Sequence, residues 1–382
     1  MDKLKKGGSW LLAAIGSLLV VWAIAIGPVS VWRVVTHGTT TVWDHLEYPG
    51  RQLFASPNSS PWAVDEEAAA IEEVSIDGTD ADLHQLLAET GTLGWVVARS
   101  GVIVDEWYGA DHGPAETSML FSVTKSVTSL LIGAAVEQGL IDSVDDPVTR
   151  YLPELEPGDA ESVSIEDLLR MDSGLDYVED DNPFGQHVEF NYTPDLTGQI
   201  LGLRFDDEPD PQFRYKSGDN AMLGLILDRV LGDVTITEYL QRTIWDPLGL
   251  ESGGTWSTDS VDGLERTWCC LAMTARDLAR IGVMVGSGGV WQGRAVIPEE
   301  WVSRSAEPAY TASRWPAEYE GSPLANYGYQ WWITESGAIL ALGKAGQYLY
   351  VGDEVVIVRL GETQGDVTWT RLFEQLASVE HG

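Results

Sequence analysis

Ser122-Val-Thr-Lys125 opens a helix that the apolar pattern predicts over residues 120–138, with Val127, Leu130 and Leu131 on one face. Positions three apart on a helix lie on the same side, one turn apart, so the serine hydroxyl and the lysine amine come within hydrogen-bond reach. A serine hydroxyl is a weak nucleophile, and a lysine can act as its base when burial depresses the lysine pKa. The stretch therefore predicts a nucleophilic serine with lysine as its base.

Lysine is rare in the rest of the chain. Past the first six residues only Lys125, Lys216 and Lys344 occur, and the remaining positive charge comes from arginine. A position that keeps lysine in such a background needs an amine that can lose its proton, or a compact cation. Lys216 follows Tyr215, whose hydroxyl could pass a proton to a leaving group while the lysine supplies local positive charge.

Lys344-Ala-Gly346 precedes a predicted strand, Gln347–Val351. A cation at this strand edge could bind a substrate carboxylate and bias Tyr215 towards its deprotonated form. Gly346 would let a substrate backbone approach closely, because glycine carries no side chain. The alternative interpretation is a solvated surface lysine on a tight turn.

In their order and rough spacing, these three motifs resemble those of the serine β-lactamase and penicillin-binding protein superfamily. The likeness spans roughly residues 86–380 and is greatest to the class C-like branch, which includes 6-aminohexanoate-dimer hydrolases and carboxylesterases. Other segments similar to this group are Tyr151–Leu155, Leu168–Gly174, Trp245–Gly249, Thr274–Ala279 and Tyr327–Trp332.

The resemblance implies a role for each motif residue. Ser122 would be the acylated nucleophile, Lys125 its base, and Tyr215 the group that handles the leaving-group proton. Lys344 matches the lysine of the third motif, and the backbone N–H groups of Ser122 and Gln347 match the oxyanion hole. The resemblance implies no cofactor and no metal ion.

Two departures from the lactamase pattern argue against antibiotic hydrolysis. The second motif reads Tyr-Lys-Ser instead of Tyr-x-Asn, and Ala345 stands where threonine or serine is usual. We therefore expect a serine hydrolase that cleaves a small amide or ester. The alternatives are a cell-wall D-alanine peptidase or carboxypeptidase, and a catalytically silent penicillin-binding-like module. The oligomeric state stays open.

Predicted strands at both ends of a helical middle indicate an α/β (α+β) fold, an antiparallel sheet flanked by helices with an inserted helical domain. The β-lactamase-like domain is predicted at 86–382, with the helical subdomain at about 140–300. A hairpin is predicted to turn at Ser100-Gly101, with later strands at 327–333, 347–351 and 354–359. A last helix is predicted at 367–379, and a lead-in segment at 33–85 precedes the domain.

The N-terminus predicts a membrane anchor. Lysines precede an apolar run from Trp10 to about Trp32, which as a helix would span roughly 33 Å, the thickness of a hydrocarbon core. We predict a cytoplasmic tail at 1–8 and a transmembrane helix at 9–32, with the catalytic domain outside the cytoplasm. The alternative is a signal peptide cleaved near Ala23-Ile-Ala25, which would give a secreted protein.

The chain has a net charge of −36 that is spread along its length, which makes nucleic acid a poor partner. This indicates a solvated surface rather than steering of a cationic substrate. By the same reasoning Asp176, Glu179 and Asp180 are interpreted as solvated loop carboxylates; the alternative is that they line the cleft near the loop at Ser173-Gly174. His187 lies in the same acidic stretch, where no partner makes it a triad base.

The chain has two cysteines, Cys269 and Cys270, which are adjacent. Neighbours in sequence rarely form a bridge, so we expect two small buried apolar residues and no disulfide. Two cysteines without a nearby histidine cluster also predict no zinc site.

Overall fold

The structure, a computed structural model, describes residues 15–17, 20, 22–23, 27–37, 40–68, 70–76, 78–155, 159–180, 182, 185–205 and 212–378. In these residues the α-helices are α1 Pro28–His37, α2 Leu83–Glu89, α3 Val123–Glu137, α4 Ile165–Arg170, α5 Gln186–Tyr192, α6 Leu196–Leu201, α7 Ser217–Leu231, α8 Ile236–Leu240, α9 Asp246–Leu248, α10 Ala275–Gly286, α11 Glu299–Ser305 and α12 Trp369–Ser378. The strands are β1 Gly50–Leu53, β2 Glu73–Ile76, β3 Thr79–Asp82, β4 Thr92–Arg99, β5 Val102–Tyr108, β6 Ser118–Met119, β7 Gly254–Ser257, β8 Leu271–Met273, β9 Val290–Trp291, β10 Arg294–Ala295, β11 Leu324–Tyr327, β12 Trp332–Thr334, β13 Ile339–Gly343, β14 Gln347–Val351 and β15 Val355–Gly361.

A seven-stranded antiparallel sheet forms the centre of the domain, in the order β11-β12-β13-β14-β15-β4-β5. Successive side chains of a strand point to opposite faces, so each strand serves two layers. In β14, Leu349 packs beside Gly282 of α10, whereas Tyr348 and Tyr350 contact the ring of Phe373 in α12. The sheet is therefore covered by helices on both faces, as predicted.

Helix α3 lies at the centre of the molecule. All of its residues from Val123 to Ala135 are buried, so burial extends beyond the predicted apolar face to the other sides of the helix. The helix contacts α7, α11 and strand β13, which together enclose it. Two of its polar side chains bond to neighbouring segments: Thr128 Oγ1 donates to the carbonyl of Thr267 at 3.0 Å, and Ser126 Oγ donates to that of Gln330 at 2.7 Å. These bonds fix the start of the helix.

Several predicted elements are confirmed, and others need correction. The hairpin turns at Ser100-Gly101, and strand β14 has the predicted bounds. The single strand predicted at 327–333 is wrong, because β11 ends at Tyr327 and β12 begins at Trp332. Between them Gln330 adopts a positive φ of 63°, and its backbone N–H donates to the Leu169 carbonyl at 3.1 Å. That bond holds the turn against helix α4.

The region predicted as a helical subdomain, about 140–300, also contains strands. A second antiparallel sheet has the order β1-β7-β8-β6, and two of its strands, β7 and β8, lie inside the region predicted as helical. Strand β7 pairs with β1 from the predicted lead-in segment, and helix α10 packs on the central sheet. Long-range pairing of this kind is not visible in local periodicity.

The predicted boundary between the anchor and the lead-in segment, at residue 32, falls inside helix α1. This helix packs against α5, where the Arg33 guanidinium donates to the carbonyls of Tyr192 and Thr193, both at 3.1 Å. In the part of the chain that the structure describes, no helix is both long and apolar enough to span a membrane. The predicted tail at 1–8 and half of the predicted anchor lie outside the described residues, so the anchor stays a prediction.

Candidate active site

Ser122 and Lys125 are in direct contact. Ser122 immediately precedes helix α3 as its N-cap residue, and Lys125 lies one turn further on. The Lys125 Nζ donates to Ser122 Oγ at 2.8 Å and to the backbone carbonyl of Trp268 at 3.0 Å. The contact predicted from the spacing is present, whereas the carbonyl of Trp268 is a second partner that the sequence pattern did not indicate.

Lys125 is placed where its amine can lose a proton. Its side chain is buried, with only 1% of the residue exposed. Burial lowers the pKa of Lys125 to about 8, because removal from water disfavours the ammonium form, and the Glu179 carboxylate opposes this shift. A substantial fraction of the neutral amine is therefore available at mildly alkaline pH.

Tyr215 completes a group of three side chains around the serine hydroxyl. Its hydroxyl is hydrogen-bonded to Ser122, and its ring lies 4.8 Å from Lys125 Nζ. The ring stacks on Trp332 with centroids 5.6 Å apart. Burial and the Glu179 carboxylate raise the Tyr215 pKa well above its ordinary value, despite the bond to Ser122. The prediction that Tyr215 is biased towards a phenolate was therefore wrong, and its hydroxyl keeps its proton in the resting protein.

The three residues of the third motif do not all face the cavity. Lys344 is exposed and lines the same cavity as Ser122. Gly346 is buried, with φ of +79°, and a Cβ atom there would collide with the Arg359 guanidinium. A glycine is required here because of the positive φ and because the Arg359 guanidinium leaves no space for a side chain. This corrects the prediction that Gly346 makes room for substrate.

Gly343, at the end of strand β13, and Gln347, at the start of β14, lie beside the nucleophile. Gly343 lies against the backbone of Ser122. A Cβ atom at Gly343 would be 3.2 Å from the Ser122 backbone nitrogen and 3.1 Å from Gln347 Cβ. The Gln347 side chain is buried, and its amide donates to the Gly361 carbonyl at 2.5 Å. The two backbone N–H groups predicted for an oxyanion hole thus belong to neighbouring segments. Gly343, which permits this approach, was missed by the sequence reasoning.

A cavity of about 620 Å³ opens at Ser122. Besides Ser122 and Lys344, its lining includes Glu179, Asp180 and His187. The Glu179 carboxylate accepts hydrogen bonds from the backbone N–H and the hydroxyl of Ser217, each at 2.7 Å. Glu179 and Asp180 are exposed, which agrees with their interpretation as solvated loop carboxylates, and both also line the cavity, as the alternative interpretation expected.

The remaining residues of the second motif are part of the buried framework. Lys216 is 3% exposed, and its Nζ donates to Ser173 Oγ at 3.2 Å and pairs with Asp219 at 3.6 Å. His187 contacts the Tyr177 hydroxyl through Nδ1 at 2.9 Å, and Glu179 at 3.6 Å. These contacts connect the acidic loop to the second motif.

The two adjacent cysteines are joined by a disulfide bond, which corrects the prediction of two separate apolar residues. Both cysteines are buried, and Cys269 lines the cavity. They directly follow Trp268, whose carbonyl accepts the hydrogen bond from Lys125. A statistical rule about neighbouring cysteines could not anticipate this local geometry.

Comparison with known proteins fits this arrangement. The chain matches the Beta-lactamase family over residues 80–368, more than half of its length. The chain belongs to the beta-lactamase family. It is 31% identical over 298 residues to the 6-aminohexanoate-dimer hydrolase of Paenarthrobacter ureafaciens, a match that covers 73% of this chain and 74% of that protein.

Solved structures agree with the family assignment. A Bacillus anthracis protein with the provisional name 6-aminohexanoate-dimer hydrolase has a TM-score of 0.76 at 20% identity, and the match covers 88% of this chain and 92% of that one. The structure of EstCE1, described as a hydrolase with promiscuous acyltransferase activity, has a TM-score of 0.60 at 18% identity, covering 77% of this chain and 96% of that one. At these identities the likeness shows the fold. This member of the beta-lactamase family is thus a serine hydrolase of the β-lactamase fold, as the sequence motifs predicted.

Proposed function

We propose that the protein hydrolyses a small amide or ester through an acyl-enzyme on Ser122, with Lys125 as general base and Tyr215 as general acid. The contact that carries this proposal is the 2.8 Å hydrogen bond between Lys125 Nζ and Ser122 Oγ. It supports the proposal because burial brings the Lys125 pKa to about 8. A neutral amine at this distance can accept the serine proton as the oxygen attacks a carbonyl carbon.

Each proton in the proposed cycle has a donor and an acceptor. Lys125 takes the proton of Ser122 as the Oγ–carbon bond forms, and the backbone N–H groups of Ser122 and Gln347 stabilise the negative oxygen. Tyr215 then gives its proton to the leaving nitrogen or oxygen and regains one from the Lys125 ammonium. In deacylation a water molecule replaces the leaving group, and the same steps run in reverse.

Tyr215→Phe distinguishes amides from activated esters. An amine is a poor leaving group unless it is protonated, so we expect about a 10²-fold slower turnover of amides. A p-nitrophenyl ester has a good leaving group, and its acylation is expected to change by less than about threefold. The check is a comparison of kcat/KM for one acyl group in amide and ester form. Equal losses on both would contradict the general-acid role.

The charges around the cavity favour a substrate with two oppositely charged ends. Glu179 and Asp180 line the same cavity as Lys344 and Ser122. A linear amide with an ammonium at one end and a carboxylate at the other can pair with both. The 6-aminohexanoate dimer has this form, and the relative from Paenarthrobacter ureafaciens is named for its hydrolysis. We therefore place linear ω-amino-acid amides first among the substrates.

Glu179→Gln tests the ammonium end. We expect KM for an amine-terminated amide to rise about tenfold, while the acetylated, uncharged analogue changes little. Since the Glu179 carboxylate opposes the lowering of the Lys125 pKa, its removal is also expected to move the rising limb of the pH–rate profile to lower pH. Asp176→Asn is the matched control, because it removes one charge from the same loop without lining the cavity. If the two variants behave alike, only the overall charge matters.

A substrate panel tests the proposed function as a whole. It contains the 6-aminohexanoate dimer, p-nitrophenyl esters, D-alanyl-D-alanine peptides and β-lactams. We expect turnover of the linear amide and the esters. Release of D-alanine at a higher kcat/KM than amide turnover would establish the cell-wall peptidase instead. No turnover or acylation by any member would indicate a non-catalytic module.

We also propose that the domain is held outside the cytoplasm by its apolar N-terminus. The disulfide between Cys269 and Cys270 supports this location, since disulfides persist in oxidising compartments. Carbonate extraction of membranes, with protease added to intact cells, tests both the attachment and the side. Recovery in the soluble cell interior would contradict the location.

A further inference from the structure

The Cys269–Cys270 disulfide lies inside the machinery that the proposed function requires. It is the bond between the only two cysteines of the chain, and it forms part of the cavity wall through Cys269. Cys269 is 7% exposed and Cys270 is 4% exposed. Cys269 is therefore the cysteine of the pair that faces the cavity, and both are largely enclosed by protein.

Both ends of this segment bind the start of helix α3. On one side the Trp268 carbonyl accepts the 3.0 Å hydrogen bond from Lys125 Nζ. On the other side the Leu271 carbonyl accepts from the backbone N–H of Leu120 at 2.8 Å, two residues before Ser122. The two cysteines thus lie between a carbonyl that binds Lys125 and a carbonyl that binds the backbone of Leu120, and their conformation sets the relative position of these two carbonyls.

The chain between these contacts has an unusual conformation. Cys270 has a φ of +74°, a value that residues other than glycine seldom adopt. Its carbonyl accepts from the Ser257 backbone N–H at 3.0 Å, which ties the turn to strand β7. A covalent ring between the two side chains limits the other conformations of this dipeptide. Without the ring, a cysteine at this position is free to return to an extended backbone.

The direction of the Trp268 carbonyl matters for the chemistry. A neutral amine has two hydrogens to donate and one lone pair to accept a proton. When Lys125 donates one hydrogen to the Trp268 carbonyl, rotation of the amine about its bond to the side chain is restricted. The lone pair can then be directed at the Ser122 hydroxyl. A carbonyl that rotates away removes this restriction and lowers the fraction of reactive arrangements.

We infer that the Cys269–Cys270 disulfide is a redox-sensitive positioning element for Lys125, so that reduction of the bond slows acylation of Ser122. This inference rests on the proposed function. The reductant is a dithiol: it supplies two electrons and two protons, the sulfur–sulfur bond breaks, two cysteine thiols form, and the dithiol closes to a cyclic disulfide. Oxidation reverses the change.

The test compares oxidised and reduced wild-type protein in acylation by a p-nitrophenyl ester. Dithiothreitol is the reductant, intact mass verifies the gain of two hydrogen atoms, and stopped-flow separates the acylation rate constant from the ester dissociation constant. We expect reduction to lower the rate constant about tenfold and to change the dissociation constant less than about twofold. Reoxidation is expected to restore the rate.

Two double variants separate the bond from the backbone conformation. Cys269→Ser with Cys270→Ser removes the ring, so we expect a slow acylation that no longer responds to dithiothreitol. Cys269→Ser with Cys270→Gly also removes the ring, but glycine readily adopts positive φ. We expect this variant to be acylated at least about threefold faster than the double serine variant. Equal rates would overturn the positioning role.

The outcomes distinguish this inference from the proposed function. If oxidised wild type forms no adduct at Ser122, the proposed function fails and the inference falls with it. If acylation occurs and verified reduction leaves the rate constant unchanged, the inference alone is overturned. A change confined to the dissociation constant also overturns it, because the disulfide would then only shape the cavity wall. Loss of near-ultraviolet circular dichroism on reduction would overturn a local role.

Discussion

Ser122→Ala is expected to lower ester and amide turnover at least about 10³-fold, because no other group at this position can form the acyl bond. The Ser122 hydroxyl accepts a hydrogen bond from Lys125 Nζ at 2.8 Å, and Ser122 lines the cavity. The measurement is kcat/KM with a p-nitrophenyl ester and with a linear amide, together with the melting temperature of each protein.

Ser126→Ala is the matched control for this loss. It removes a hydroxyl one turn further along the same helix, where the side chain is buried and donates to the Gln330 carbonyl at 2.7 Å. We expect its turnover to stay within about threefold of wild type while its melting temperature falls. If Ser122→Ala keeps more than a tenth of wild-type activity, another nucleophile or direct water attack must carry the reaction.

Replacement of Lys125 is expected to lower acylation about 10³-fold or more, and the surviving rate should lose its pH dependence. In wild type the rate requires the neutral amine, so it is expected to rise with pH, with a midpoint near the pKa of about 8, and to level off above it. The sign follows from the base role: protonation below the pKa occupies the lone pair that must accept the serine proton.

Two replacements separate the base role of Lys125 from its charge. Lys125→Met keeps the length of the side chain without an amine, and it suits the buried site. Lys125→Arg keeps the positive charge but cannot lose its proton at these pH values. Both are expected to be inactive. A wild-type rate that falls as pH rises through 8, or an active arginine variant, would contradict Lys125 as the base.

The sequence could predict the nucleophile and its base because both lie within one helical turn. Helical spacing fixes their distance whatever else the chain does, so Ser122 and Lys125 could be paired without knowledge of the fold. The central sheet was predictable for the same reason, since β4, β5 and β14 show their strand pattern locally. The family resemblance added the order of the motifs along the chain.

The rest of the site depends on contacts between distant segments. The hydrogen bond between Lys125 and the Trp268 carbonyl joins residues 143 positions apart, and the one between Ser217 and Glu179 joins residues 38 positions apart. No local pattern marks a backbone carbonyl as a partner, and in so acidic a chain one carboxylate does not stand out from the others. The role of Gly346 was misread because glycine serves a left-handed turn as readily as a substrate groove.

The tyrosine was misread because its environment decides its pKa. The sequence shows a lysine in the third motif, which suggested a stabilised phenolate. In the folded chain Tyr215 is enclosed beside Trp332 and near Glu179, and both burial and that negative charge raise its pKa. The result reverses the direction of the predicted shift, so the resting hydroxyl holds the proton that the proposed general-acid step uses.

The central claim, an acyl-enzyme on Ser122, is tested most directly by intact-mass analysis after reaction with a fluorophosphonate, followed by peptide mapping. We expect one phosphonyl group per chain, located on the peptide that contains Ser122, at a rate that rises with pH through about 8. We expect no adduct on Ser122→Ala. An unmodified Ser122 in wild type, or equal labelling of the alanine variant, would contradict the account.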